Sequence, residues 1–341
     1  MKFRTAYLLS ILVLLLLAAP QLSLAAPQQD SAQKDDELPT FRANVNVVNL
    51  FFNVKDKHGA LIPNLTKDDF QVFEDGKQQT IKYFSAESDQ PLTLGILIDT
   101  SGSQTGVLPM EKEAGAEFLR DVLRPKDLAF VISFDVNVDL LQDFTNSHKY
   151  LRRALDSAKI NSGGAGGGLP GMGGGPFPTS SNPRGTLLYD AIYLGSHEKL
   201  ASEVGRKAMI ILTDGEDQGS QLKIKDAIEA AQKSDAICYV ILIADRGFYS
   251  SYGGGYGGDR EMKKLTLETG GRVVDVGDKF DKLKKAFAEI SAELRSQYSI
   301  GYTPTNAKLD GSFRRIEIKT NHDYRVQARK GYYATKAQTG D

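Results

Sequence analysis

Two rhythms of apolar and polar residues run along this chain. In the middle, short apolar runs alternate with longer amphipathic stretches. Leu94–Asp99, Leu128–Phe134, Lys207–Thr213, Ile237–Ala244 and Arg272–Val276 read as strands. Leu94–Ile98 carries no charge, the pattern of a strand buried on both faces of a parallel sheet. Between the runs, Met110–Leu123, Ser147–Ala158, Thr186–Val204, Leu222–Ser234, Arg260–Thr269 and Asp281–Arg295 read as helices. Phe118, Leu119 and Val122, and Ile224, Ala227, Ile228 and Ala231, show one-sided helical spacing. Val138–Phe144 reads as a short antiparallel edge strand. The alternation predicts an α/β fold over residues 91–296, a doubly wound, mostly parallel sheet with helices on both faces.

The flanks follow a period of two instead. Phe41–Lys55, Phe70–Phe73 and Thr80–Phe84 alternate near the start, and Asp75-Gly76 marks a hairpin between the last two. Gln297–Tyr302, Phe313–Thr320 and Tyr324–Ala328 alternate near the end. Neither flank is long enough to bury a good core alone. Residues 40–90 with 297–334 are therefore expected to form one discontinuous, β-sandwich-like domain, with the α/β domain inserted. The alternative is two β-extensions on the edges of the main sheet, which leaves more strand edges exposed. Residues 335–341 are a tail.

Composition changes the picture at the start of the chain. Lys2 and Arg4 precede the apolar run Ala6–Ala19, and Ser23-Leu24-Ala25 offers small residues for cleavage. Residues 1–25 read as a secretory signal peptide, and the run is short for a membrane span. Residues 26–39 are polar and read as a disordered leader. Export to the periplasm or beyond is expected, with no transmembrane segment after cleavage. The one cysteine, Cys238, lies in an apolar run, so no intrachain disulfide forms and the core must hold the fold. The formal net charge of −1 gives no pull toward nucleic acid.

Candidate chemistry sits where the first central strand ends. Asp99, Ser101 and Ser103 put one carboxylate and two hydroxyls in a tight loop, oxygen chemistry suited to a hard cation such as Mg²⁺. Asp99-Thr100-Ser101-Gly102-Ser103 resembles the metal-ion-dependent adhesion site of von Willebrand factor type A domains. Thr186 in RGTLLYDAI and Asp214 in MIILTDGED fit the two later positions of that pattern. With its export signal, β-rich lead-in and closing RKGYY, the layout is similar to von Willebrand A-related proteins of acidobacteria. The resemblance implies that Ser101, Ser103 and Thr186 ligate Mg²⁺ (or Mn²⁺ or Ca²⁺) directly, with Asp99 and Asp214 acting through water or hydrogen bonds. So few charges leave the metal seeking a Glu or Asp carboxylate from a protein or peptide partner.

Two glycine-rich stretches, Ser162–Arg184 and Asp245–Asp259, are expected at the same sheet edge. They read as solvated loops, or as a rim presenting Phe248, Tyr249, Tyr252 and Tyr256 to a partner. No G-x-S-x-G, HExxH or GxxxxGK[ST] occurs, and no histidine is expected near Asp99, so an enzyme is not expected. The expected function is an exported Mg²⁺-dependent binding module. The alternatives are a metal-assisted hydrolase of an envelope substrate, and a structural protein whose metal only pins loops.

Overall fold

The computed structural model describes residues 47–86, 90–161, 185–243 and 258–335. The signal and leader, the whole of the first glycine-rich stretch, and most of the second with Phe248, Tyr249, Tyr252 and Tyr256 lie outside the described residues.

Elements run in the order β1 (Val48–Lys55), β2 (Phe70–Glu74), β3 (Lys77–Gln79), β4 (Ile81–Ser85), β5 (Leu92–Asp99), α1 (Leu108–Val122), β6 (Leu128–Phe134) and β7 (Val138–Thr145). There follow α2 (His148–Ser157), α3 (Leu188–Leu194), β8 (Arg206–Thr213), α4 (Ile224–Lys233), β9 (Ala236–Leu242) and α5 (Asp259–Thr269). The chain closes with β10 (Val273–Asp275), α6 (Phe280–Arg295), β11 (Tyr298–Tyr302), β12 (Phe313–Thr320), β13 (Arg325–Ala328) and β14 (Gly331–Tyr333).

The central sheet has the order β10-β9-β8-β5-β6-β7. Its pairs are parallel except β6–β7, which is antiparallel. Every residue of β5, β8 and β9 is buried, which explains their near-continuous apolar runs. The two faces carry separate cores. Leu94, Ile96 and Ile98 pack with α1, α2 and α6, while Leu97, Met209 and Ile211 pack with α3, α4 and α5. Gly95 lies on the second face with Leu97, and the Phe130 ring there leaves no room for a side chain: an added Cβ would sit 2.4 Å from that ring. Strand order reverses between β5 and β8, so a crevice forms at their carboxyl ends, the usual ligand site of such sheets.

The flanks form two further four-stranded sheets, β13-β1-β11-β4 and β14-β12-β2-β3. A shared core fills them, with Phe52, Phe70, Val72, Tyr298, Ile300 and Ile318 among its members. Asp75 and Gly76 both have positive φ (47° and 78°), the backbone of a tight hairpin turn. That hairpin joins β2 to β3, not to the run Thr80–Phe84. Between Gln79 and Ile81 the chain crosses sheets, and β4 pairs with β11 instead. The buried Glu74 accepts hydrogen bonds from Tyr302 (2.7 Å) and Tyr332 (2.9 Å).

Glu293 on α6 fastens the flanking sheets to the α/β part. It is 3% exposed and accepts from Lys55 at 2.9 Å and Arg272 at 2.7 Å, while its backbone carbonyl takes Asn53 Nδ2 at 2.8 Å. One helix is shorter than its periodicity predicts. Thr186 stays outside α3 because Leu187, its N-cap, has a non-helical ψ of 54°; the Leu187 N–H is bound to the Asp135 carbonyl at 2.8 Å. The far end passes through a π-helical turn, Gly195–Leu200, and stops at residue 200.

Candidate metal centre

The sheet places Asp99 at the last position of β5, fully buried on the same face as Leu97. Its Oδ1 accepts the Ser101 N–H at 2.9 Å, closing an Asx turn. Its Oδ2 accepts the Thr213 hydroxyl at 2.7 Å from the end of β8. Ser101 then enters a single 3₁₀ turn, Gly102–Gln104, which feeds α1. Ser101 Oγ and Ser103 Oγ lie 3.0 Å apart, and Ser103 donates to Asp214 Oδ2 at 2.5 Å. Asp214 follows β8 directly; its Oδ1 accepts the Glu216 N–H at 3.1 Å, and Gly215 takes a positive φ of 84° to turn the loop.

Asp99, Ser101, Ser103 and Asp214 thus form one hydrogen-bonded string. Thr186 belongs to the adjoining loop. It is 7% exposed, and its carbonyl accepts the Gln218 N–H at 3.0 Å. No side-chain hydrogen bond joins Thr186 to that string among the described residues.

Asp135 ties the loops together. This residue opens the neighbouring loop after β6, and the sequence reading gave it no role. Its Oδ2 accepts Thr100 Oγ1 at 2.8 Å, its Oδ1 accepts the Asn137 N–H at 3.0 Å, and its carbonyl holds Leu187. The loops carrying Ser101, Thr186 and Asp214 are therefore laced to one another. Asp217 and Asp190 serve the last loop: Asp217 takes the Ser220 hydroxyl at 2.5 Å, and Asp190 takes the Gln221 and Leu222 N–H groups.

Two further residues escaped the sequence reading. Glu111 in the first turn of α1 and Gln104 in the 3₁₀ turn are both fully buried. Glu111 lies three, four and seven positions before the buried Ala114, Gly115 and Phe118. That spacing put it on the inner helix face and could have revealed it.

The electrostatics are those of a negative pocket. Burial, and then the charge of Asp214, push the Asp99 carboxyl from its ordinary 3.8 up to about 7 against the hydrogen bonds it accepts. Burial, followed by the charges of Asp99 and Asp214, holds Glu111 well above the usual carboxylate range. Each carboxylate would be eased by a cation in their midst.

The residues fit a divalent cation in donor chemistry and spacing. Oxygens bound at right angles to one Mg²⁺ at about 2.1 Å lie about 3 Å from each other, matching the serine pair. Among the described residues no group of three His, Cys, Asp or Glu side chains is placed to hold a metal. His322 instead pairs with Asp69 at 2.9 Å, and His197 stacks on Tyr193.

No family model matches the chain, and no curated protein matches it. Among solved structures, the conserved hypothetical protein BatB from Bacteroides thetaiotaomicron is 20% identical, covering 60% of this chain and 100% of its own, at a TM-score of 0.42. A von Willebrand factor type A structure from Catenulispora acidiphila is 12% identical, covering 88% and 76%, at 0.44. Proximal thread matrix protein 1 from the mussel byssus, with a zinc-occupied MIDAS motif, is 14% identical and covers 65% of this chain at 0.46. This chain spans half the length of the mussel protein. At such identities the meaning of the site rests on this chain's own residues. By its strand order, and by the meeting of the Asp99–Ser103 loop with Asp214 at the switch point, the α/β part has the fold of a von Willebrand factor type A domain.

Proposed function

We propose that this chain is an exported, non-enzymatic binding module that captures a protein or peptide through a divalent cation, Mg²⁺ in the first instance. Ser101, Ser103 and Thr186 would be the direct ligands, with Asp99 and Asp214 orienting them and the bound water. The observation carrying this reading is the hydroxyl string Ser101–Ser103–Asp214 at the sheet's switch point. Neutral hydroxyl ligands leave the cation's charge largely uncompensated on its open side. An anionic ligand is drawn there, and a Glu or Asp side chain is the form a protein partner offers. The flanking sheets, fastened through Glu293, would support the α/β part and take no part in the site.

Selection from a random peptide display library tests this. Selection in Mg²⁺, with elution by EDTA, should enrich peptides that need one Glu or Asp, and the amide replacement of that residue should abolish binding. Enriched peptides that hold on through EDTA, or that lack any required acid, would contradict the reading.

A further inference from the structure

Three buried oxygens beside the centre have no hydrogen-bond partner among the described residues: both carboxyl oxygens of Glu111 and Oε1 of Gln104. Both residues are fully buried. Gln104 is fixed to the ligand loop: its N–H donates to the Ser101 carbonyl at 3.0 Å, its carbonyl accepts from Val107 at 3.0 Å, and its Nε2 lies 3.5 Å from Ser103 Oγ. The Glu111 N–H is bound in turn to the Val107 carbonyl at 3.2 Å. Ser103 and Glu111 are therefore joined by a short run of hydrogen-bonded turns between the 3₁₀ turn and α1.

With Glu111 ionised all three orphaned atoms are acceptors, and the charges that act on Glu111 are those of Asp99 and Asp214. A buried acceptor set of this kind carries a desolvation cost that a strong donor must offset. Water bound to a divalent cation is such a donor, and carboxylates and amides that accept from bound water orient it.

We propose that Glu111 and Gln104 form the inner wall of the metal centre, accepting hydrogen bonds from water on the cation and positioning it beneath the serine hydroxyls. This rests on the metal-centre reading above. The arrangement separates two tasks. The fully buried Glu111 carboxylate would attract the cation, and the hydroxyls of Ser101 and Ser103 would remain to ligate it beside the partner's acid. Glu111 and Gln104 are positioning residues and not direct ligands.

Calorimetric titration of the full chain with MgCl₂ and MnCl₂ tests the wall, beside the thermal midpoint of each metal-free variant. Glu111→Gln should weaken cation binding about tenfold or more and leave the metal-free midpoint unchanged or raised, because a buried acid is replaced by a neutral isostere. A purely structural Glu111 would do the reverse, lowering the midpoint and leaving affinity intact. Gln104→Met removes the second acceptor independently and should also weaken binding. Wild-type affinity in the folded variants overturns the wall and spares the centre. An absence of binding in the wild-type chain, as in Asp99→Ala, overturns both.

Discussion

Ser103 Oγ lies 2.5 Å from Asp214 Oδ2, joining two loops 111 residues apart in sequence. The contact makes the serine the hinge of the centre, since it also meets Ser101 Oγ at 3.0 Å. Ser103→Asp would put a full charge on the inner ligand set. Cation affinity should rise, while capture of an acidic peptide should fall at least tenfold, because the metal is then satisfied from within. Ser103→Ala should weaken both. Paired titrations with metal and with a selected peptide read the two effects separately.

The metal-free protein should lose stability as pH rises from about 4 to about 7. Folded Asp99 keeps its proton up to about pH 7, whereas the unfolded chain releases it near 3.8. Between those values the folded state binds more protons, so its stability falls as pH rises. Glu111 acts in the same direction. Urea midpoints in EDTA should therefore drop for wild type relative to Asp99→Asn between pH 4.5 and 7.5. A constant difference between the two proteins across that range would contradict the buried acid pair.

Glu293 should be a stability residue with no part in binding. Its carboxylate is 3% exposed and pairs with Lys55 and Arg272, themselves mostly buried. Glu293→Ala strands both cations and is expected to cost about 3 kcal/mol in denaturant unfolding. Arg120→Ala breaks a pair exposed on both sides and should cost about 0–1 kcal/mol. Cation affinity should be unchanged in both variants.

The sequence shows most plainly what is contiguous. Asp99, Ser101 and Ser103 share one loop, and the uncharged run before them places that loop at a sheet edge. The six-stranded sheet was legible because β5, β8 and β9 are buried on both faces and so carry little but apolar residues. The hairpin partner of β2 was misread because only Gln79 and Ile81 flank the crossing between sheets, and alternation continues through it. β14 is three residues long, too short for periodicity to register. Asp135 was hidden for another reason. An acid in a turn reads as solvated, and its burial comes from loops that only the fold brings together, whereas the burial of Glu111 was legible in its helical spacing. The placement of Thr186 outside α3 goes with the non-helical backbone of Leu187, which no local pattern announces.

The central claim is that the folded chain binds a divalent cation at Asp99, Ser101, Ser103, Thr186 and Asp214. Thermal unfolding of the full chain with Mg²⁺, Mn²⁺, Ca²⁺ or EDTA, beside Asp99→Ala, tests it most directly. A cation that binds only the folded state stabilises it by about 2.7 kcal/mol at a hundredfold excess over Kd, roughly 4 °C for a chain of this size. The account predicts a midpoint that climbs with cation concentration in wild type and stays flat in Asp99→Ala. A wild-type midpoint that does not move in millimolar cation, or that moves equally in the variant, would contradict it.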